Sequence, residues 1–210
     1  LVAVADYVLA NFFEVEAAYP GQYEKTSSSN LSSTRALYDV VEKHGGRYEP
    51  AAVGEANVVS KMKQLRSFIG GEGNGGVIFP ALHYGRDALI GAALYLSALA
   101  RSGLKISEFQ ARLPQYSMVK DKLTLRPGLD IPALLDRIRK EESGRAGLIR
   151  VIDIDGIKFE WPGAWVHLRA SNTEPIIRIY AEARRAEEAR KLSDEMKEKI
   201  SAYINQNVNK

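Results

Sequence analysis

The stretch Phe-Ile-Gly-Gly-Glu-Gly-Asn-Gly-Gly-Val-Ile-Phe, residues 68–79, constrains the fold more than any other part of the chain. Five of its twelve residues are glycine, standing between two short apolar runs, Phe68-Ile69 and Val77-Ile78-Phe79. Such runs read as strand ends. Glycine permits conformations and close approaches that a side chain forbids, so a tight loop pinned at both ends is predicted. Two polar side chains, Glu72 and Asn74, rise from it. A carboxylate accepts hydroxyl protons and an amide both donates and accepts, which suits a polyol. The loop has no Lys or Arg and lacks the Gly-Lys-Ser/Thr ending of a P-loop, so it is a poor phosphate cradle. The bland alternative is a glycine-rich connection that only turns.

Around this loop, helical spacing alternates with short strands. Residues 1–13 read as a helix and 19–22, Tyr-Pro-Gly-Gln, as a turn. Residues 27–30 read as a polar loop, after which Ser32 or Ser33 caps a helix to about His44, stopped by Gly45-Gly46. Residues 47–53 form a short strand candidate interrupted by Pro50. Asn57 is placed to cap a helix over 58–66 that buries Val58, Val59, Met62 and Leu65. Residues 80–85 turn, and 88–100 are apolar nearly all round, which predicts a buried helix. The alternation predicts an α/β layer over residues 1–115, with a domain boundary at Leu113-Pro114-Gln115.

Residues 116–210 read differently, in the order strand, helix, four strands, helix. Residues 118–125 alternate as a strand, and 131–142 carry Ile131, Leu134, Leu135 and Ile138 at helical spacing. Residues 148–161 have a hairpin signature, with Asp155-Gly156 suited to a type I′ turn. Strands follow at 165–169 and 176–183, then an amphipathic helix over 186–204. This order predicts an α+β domain, an antiparallel sheet with helices on one face. Between the last two strands lies Arg169-Ala170-Ser171-Asn172-Thr173-Glu174-Pro175, followed by Arg178. Arg169 offers a planar fork for phosphate oxygens, and Ser171 and Thr173 offer hydroxyl donors. Successive N–H groups in such a turn can form an anion nest. A plain polar hairpin loop has the same composition, so phosphate binding and that alternative stand level on these residues alone.

Charge and composition exclude some partners. The chain has 29 basic and 26 acidic residues, a net charge of +3, which is no nucleic-acid signature. Up to Gln115 there are 11 of each, so the remainder, 18 basic (29 − 11) and 15 acidic (26 − 11), carries the whole excess. Trp161, Trp165 and Tyr180 are not interleaved with a clustered basic face, which also argues against nucleic acid. There is no cysteine, excluding disulfides and thiolate metal sites and fitting a reducing compartment. No apolar run is long enough to span a membrane. The apolar start contains Asp6 and has no basic lead, so it is not read as a signal peptide. A chain that begins without methionine reads as part of a longer protein.

The two loops together resemble the α-D-phosphohexomutases. Gly-Gly-Glu-Gly-Asn-Gly-Gly is similar to their sugar-binding loop, GE-x-[SN]-G, and Arg-Ala-Ser-Asn-Thr-Glu-Pro to their phosphate-binding loop, R-x-S-[GN]-T-x-P. Val53-Gly54-Glu55-Ala56-Asn57-Val58 resembles a loop of the phosphoglucosamine mutase and phosphomannomutase branches. The resemblance covers essentially the whole chain. It implies the third and fourth of four domains: an α/β domain III, residues 1–115, and a TATA-box-binding-protein-like α+β domain IV, residues 116–210. It implies that Glu72 and Asn74, with Gly71, Gly73 and Gly75, meet sugar hydroxyls. Arg169, Ser171, Asn172 and Thr173 would hold the non-transferred phosphate, with Arg178 near it.

The phosphoserine and the magnesium-binding Asp-rich loop belong to domains I and II of the family, and neither motif occurs in this sequence. Catalysis, Mg2+ and the hexose 1,6-bisphosphate intermediate are therefore implied for a full-length cytoplasmic enzyme, with no catalytic residue on this chain. Two departures stand out. Many relatives carry histidine where Gly76 stands, and several carry a lysine in the helix occupied here by Val59-Ser60-Lys61. Lys61, His83 and Arg86 are further candidates; His83 and Arg86 are read first as local structural residues. A stand-alone phosphosugar-binding module is the alternative function.

Overall fold

The middle of the first sheet is a segment that the sequence presents as a loop. Residues 27–30, Ser-Ser-Ser-Asn, belong to β1 (Glu24–Asn30), which lies between β2 (Arg47–Ala51) and β3 (Ser67–Gly71) and pairs with both in parallel. The sheet continues through β4 (Val77–Phe79) and β5 (His83–Arg86), each antiparallel to its predecessor, in the order β2-β1-β3-β4-β5. Serines give no hydrophobic periodicity, so no strand is legible there. Yet Thr26 to Asn30 are all buried, because a parallel strand inside a sheet is covered on both faces. Small side chains fit there, and some of the hydroxyls find partners. Thr26 shares a hydrogen bond with Ser67 of β3 and Ser29 with Tyr48 of β2, while the Ser27 and Ser28 hydroxyls are buried without a partner among the described residues. Pro50 is tolerated because β2 is an edge strand. His83 to Gly85, expected within a turn, belong with Arg86 to the short strand β5 that pairs with β4.

The computed structural model describes residues 1–126, 128–171 and 173–206. It divides into two compact units, Leu1–Gln115 and Tyr116–Lys210. In the first unit the helix expected over residues 1–13 is two, α1 (Val2–Ala10) and α2 (Phe12–Ala18). They part at Asn11, whose side-chain amide donates to the Tyr7 carbonyl. The next helix, α3 (Ala36–Lys43), starts after Arg35 with no side-chain cap, so neither Ser32 nor Ser33 caps it; the Ala36 N–H donates to Thr34 Oγ1 at 3.2 Å. Asn57 is no cap either. The fourth helix, α4 (Glu55–Leu65), has already begun, and Asn57 reaches back to the Val53 carbonyl. Two further helices, α5 (Ala88–Ser102) and α6 (Ile106–Ala111), follow the sheet. One buried cluster joins Val4, Val8, Leu37, Val40, Phe68 and Ile69; another joins Ala51, Val58, Met62 and Ile78.

The apolar α5 departs most from its expected place. Leu94 and Tyr95 pack on the first cluster, but of its residues only Ala98 is buried, while Leu89 is 83% and Leu96 61% exposed. An apolar helix lying on one side of a sheet can bury only the stripe that faces it. Leu89→Ser and Leu96→Ser should therefore each change stability by less than about 0.5 kcal/mol, against about 3–5 kcal/mol for Phe68→Ala. Urea denaturation of the 210-residue chain measures this. A loss of about 2 kcal/mol for Leu89→Ser would show that the outer face is covered.

The second unit has the expected order: β6 (Ser117–Thr124), α7 (Ile131–Glu142), β7 (Arg150–Ile152), β8 (Ile157–Trp161), β9 (Ala164–Ala170), β10 (Ile176–Ala183) and α8 (Ala186–Gln206). Its sheet, β6-β10-β9-β8-β7, is antiparallel throughout. Alternate residues point inward, so Phe159, Val166, Leu168, Ile177 and Ile179 meet Leu134, Ile138, Met196 and Ile200 of the two helices. At the start of α7, Asp130 accepts from the Ala133 N–H, and Pro132 stands in the first turn, where its missing N–H costs nothing. The Asp155-Gly156 turn is not type I′, which needs positive φ at both residues; only Gly156 has it, at 70°. Residues 153–156 form a longer connection, pressed so closely on β9 that a Cβ on Gly156 would stand 2.1 Å from the Leu168 carbonyl oxygen.

Candidate functional site

Because β1, β2 and β3 run in parallel, their carboxyl ends share one edge, where open α/β sheets collect ligands. Asn30 ends β1, Glu55 opens α4 after β2, and Glu72 follows β3. Two antiparallel steps bring the end of β5, and with it Arg86, to the same edge. The glycine loop closes on itself: the Glu72 N–H donates to the Gly76 carbonyl at 3.0 Å and the Gly75 N–H to the Glu72 carbonyl at 3.1 Å. A Cβ on Gly71 would lie 2.0 Å from the Gly76 carbonyl oxygen, and one on Gly73 would lie 3.0 Å from that of Ser32. Gly75 takes φ 97°. Gly73, Asn74 and Gly75 are exposed, and Asn74 Oδ1 accepts the Gly76 N–H at 3.2 Å.

Glu72 is not open to solvent as the sequence suggests; it is 6% exposed. Its Oε1 accepts from Asn30 Nδ2 at 3.1 Å, and its Oε2 lies 3.0 Å from Arg86 Nη1. Asn30 is held in turn by the Ser33 hydroxyl at 3.0 Å. A carboxylate has about four acceptor positions, so hydroxyls can still be received. Arg86 is not local. Its Nε donates to Glu55 Oε2 at 2.8 Å and its backbone N–H to Glu55 Oε1 at 3.0 Å. That N–H, then the guanidinium, hold the Glu55 carboxyl below its usual range. Glu55, Asn74, Gly76, Val77 and Arg86 line an open cleft of about 490 Å³. His83 is local, paired with Asp87, the N-cap of α5, at 3.1 Å. Lys61 donates to Gln64. It stands six residues after Glu55, about 9 Å along the helix from the site edge.

In the second unit, pairing register does what linear order cannot show. Arg169 of β9 stands opposite Arg178 of β10, and Arg178 opposite Lys122 of β6, so three cations form one row on one face. Like charges directly opposite destabilise a sheet, and an anion relieves them. Arg169 is only loosely countered by Asp155 at 3.8 Å, and Arg178 by Glu174 at 3.5 Å. The Arg178 Nε is buried without a partner among the described residues. The loop neck closes by the Ser171 N–H to the Ile176 carbonyl at 2.9 Å, and the hydroxyls of Ser171 and Thr173 lie 3.5 Å apart. Asn172 lies outside the described residues. Behind Arg169, His167 is buried and donates Nε2–H to the Asp155 carbonyl at 2.7 Å. Burial pushes its pKa down to about 4, and that hydrogen bond opposes the shift.

Sequence reasoning missed Asn30, the bridging role of Arg86, and Lys122. Only Lys122 left a signal, the alternation Lys120-Asp121-Lys122 along β6. Among the described residues no cluster of three or more His, Asp or Glu could hold a metal ion. No helix among them is long and apolar enough to cross a membrane.

Two family models match the chain. Residues 5–116 match phosphoglucomutase/phosphomannomutase, alpha/beta/alpha domain III, and residues 118–199 match the C-terminal domain of the same family. A phosphoglucosamine/phosphogalactosamine mutase of Sulfurisphaera tokodaii is 34% identical over 80% of this chain and 36% of its own length. A phosphoglucomutase/phosphomannomutase of Thermococcus kodakarensis is 34% identical over 77% of this chain and 35% of its own. The crystal structure of a phosphoglucomutase/phosphomannomutase family protein from Burkholderia thailandensis superposes with a TM-score of 0.72 at 25% identity, over 94% of this chain and 41% of that one. The chain thus spans little more than a third of the curated relatives it matches.

Proposed function

Because the chain belongs to the phosphoglucomutase/phosphomannomutase family of α-D-phosphohexomutases, we propose that it is the substrate-recognition half of a phosphohexomutase. The whole enzyme interconverts hexose 1-phosphate and hexose 6-phosphate through a phosphoserine and a bisphosphorylated intermediate. The first unit takes the sugar: Glu72, Asn74 and the backbone of Gly71, Gly73 and Gly75 meet hydroxyls. The second takes the non-transferred phosphate on Arg169, Ser171, Asn172 and Thr173, with Arg178 beside them. The cation row Arg169–Arg178–Lys122 carries this reading, since its mutual repulsion suits an anion and little else. Domains I and II of the family would supply the phosphoserine and the magnesium.

The reading predicts that this chain binds glucose 1-phosphate and turns none of it over. Calorimetry should show Glu72→Gln weakening glucose 1-phosphate about tenfold, the equivalent of one charge-assisted hydrogen bond, with inorganic phosphate unaffected. Equal losses for both ligands would end the division of labour between the loops. A coupled assay with glucose 1-phosphate, its 1,6-bisphosphate and magnesium should stay at background. Turnover that survives removal of contaminating mutase would overturn the assignment as a recognition half.

A further inference from the structure

The geometry points to Arg86 as the residue that positions Glu72 for the sugar, in space that Gly76 leaves open for its stem. The inference rests on the sugar-binding reading of the glycine loop and adds a residue that makes that loop work.

Arg86 joins two carboxylates brought by different loops. Its Nε lies 2.8 Å from Glu55 Oε2 and its Nη1 3.0 Å from Glu72 Oε2. With Asn30 Nδ2 on the other oxygen at 3.1 Å, each oxygen of Glu72 has one fixed donor. A carboxylate held at both oxygens cannot rotate, so its remaining acceptor positions face constant directions. The donors also tie loop 72–76 to the start of α4 on one side and to the end of β1 on the other.

Gly76 makes this arrangement possible. A Cβ there would stand 2.5 Å from Arg86 Cδ and 3.0 Å from its Cγ. Those atoms lie in the middle of the side chain, and the guanidinium beyond them is pinned by two carboxylates. A residue at position 76 and the present path of Arg86 therefore exclude each other. This clash ties the glycine at position 76 to the arginine ten positions later. Arg86 is 43% exposed and its pairing with Glu55 is a surface one that contributes little, whereas Glu72 is buried, so loss of Arg86 leaves that carboxylate with the Asn30 amide alone.

The test uses the 210-residue chain with Arg86→Ala, Arg86→Lys, Gly76→Ala and the Gly76→Ala/Arg86→Ala double variant. Arg86→Ala should weaken glucose 1-phosphate about tenfold and leave inorganic phosphate unchanged. Arg86→Lys should recover part of the loss. Gly76→Ala should reproduce the loss alone and add nothing when Arg86 is already alanine. Independent multiplication of the two losses would overturn the inference, as would equal weakening of both ligands. A parent chain that binds glucose 1-phosphate no better than inorganic phosphate would instead remove the sugar reading. Amide hydrogen exchange then decides whether Arg86 fixes the loop: Glu72 and Gly75 should exchange faster in Arg86→Ala and Gly76→Ala, and unchanged rates would refute positioning by Arg86.

Discussion

Arg169→Ala weakens glucose 1-phosphate and inorganic phosphate alike, by about 10- to 100-fold, while the second unit keeps its stability. The affinity loss follows from removing a charged fork that can give two hydrogen bonds to one anion, each contributing about 1.5–3 kcal/mol at best. The retained stability follows from register. Arg169 faces Arg178 directly across β9 and β10, and its one counter-charge among the described residues, Asp155, is 3.8 Å away. Deleting one of two opposed cations relieves repulsion and breaks only a loose, part-exposed pair. Arg169→Lys separates charge from shape, because an ammonium keeps the charge and loses the fork, so it should fall between parent and alanine. Phosphate titration and thermal melts measure both quantities. Unchanged phosphate affinity in Arg169→Ala would take the phosphate away from this loop.

Side-chain chemistry alone makes the two loops legible in the sequence. Five glycines around a glutamate and an asparagine, and an arginine with two hydroxyl residues ahead of a proline, are choices that loop chemistry dictates. The second unit is legible as well, because one face of its strands supplies apolar residues at alternate positions to a single packed core. Three things are hidden. Strand β1 is serine-rich and depends on hydroxyl partners up to about forty residues away, such as Thr26 with Ser67. The helix α5 looks buried by composition, yet composition cannot say which side has a neighbour. Arg86 and Lys122 owe their places to strand pairing, which brings Arg86 to Glu55 across 31 residues and Lys122 to Arg178 across 56 (178 − 122). Linear order does not record such a meeting; for Lys122 it leaves only the alternation Lys120-Asp121-Lys122.

The same burial that hides the polar face of β9 should make the second unit sensitive to mild acid. His167 is 2% exposed, and burial brings its pKa from 6.5 to about 4. Above pH 6.5 neither the folded nor the unfolded chain protonates it. Between 6.5 and about 4 the unfolded chain takes up a proton that the fold refuses, so stability falls as pH falls through this window, by about 3 kcal/mol in total. Below the folded pKa both states are charged and this loss is complete. The depressed carboxyls of the unit act in the same direction but start lower. They include Glu141, held down first by Arg137, and Asp121, where hydrogen bonds from Ser193 and Lys197 outweigh burial. Their stabilisation is lost as pH drops through and below the ordinary carboxylate range, so the His167 window precedes theirs. Urea titrations followed by tryptophan fluorescence report this unit alone, since both tryptophans, Trp161 and Trp165, belong to it. His167→Gln should flatten the profile between pH 6.5 and 4. If that variant does not fold, the His167 ring protons of the parent chain decide by NMR, with no titration step expected between pH 7.5 and 5. A midpoint near 6.5 would mean that the ring is solvated. Protonation leaves in place the Nε2–H that His167 donates to the Asp155 carbonyl, so the loss comes from burying the charge and not from breaking this contact.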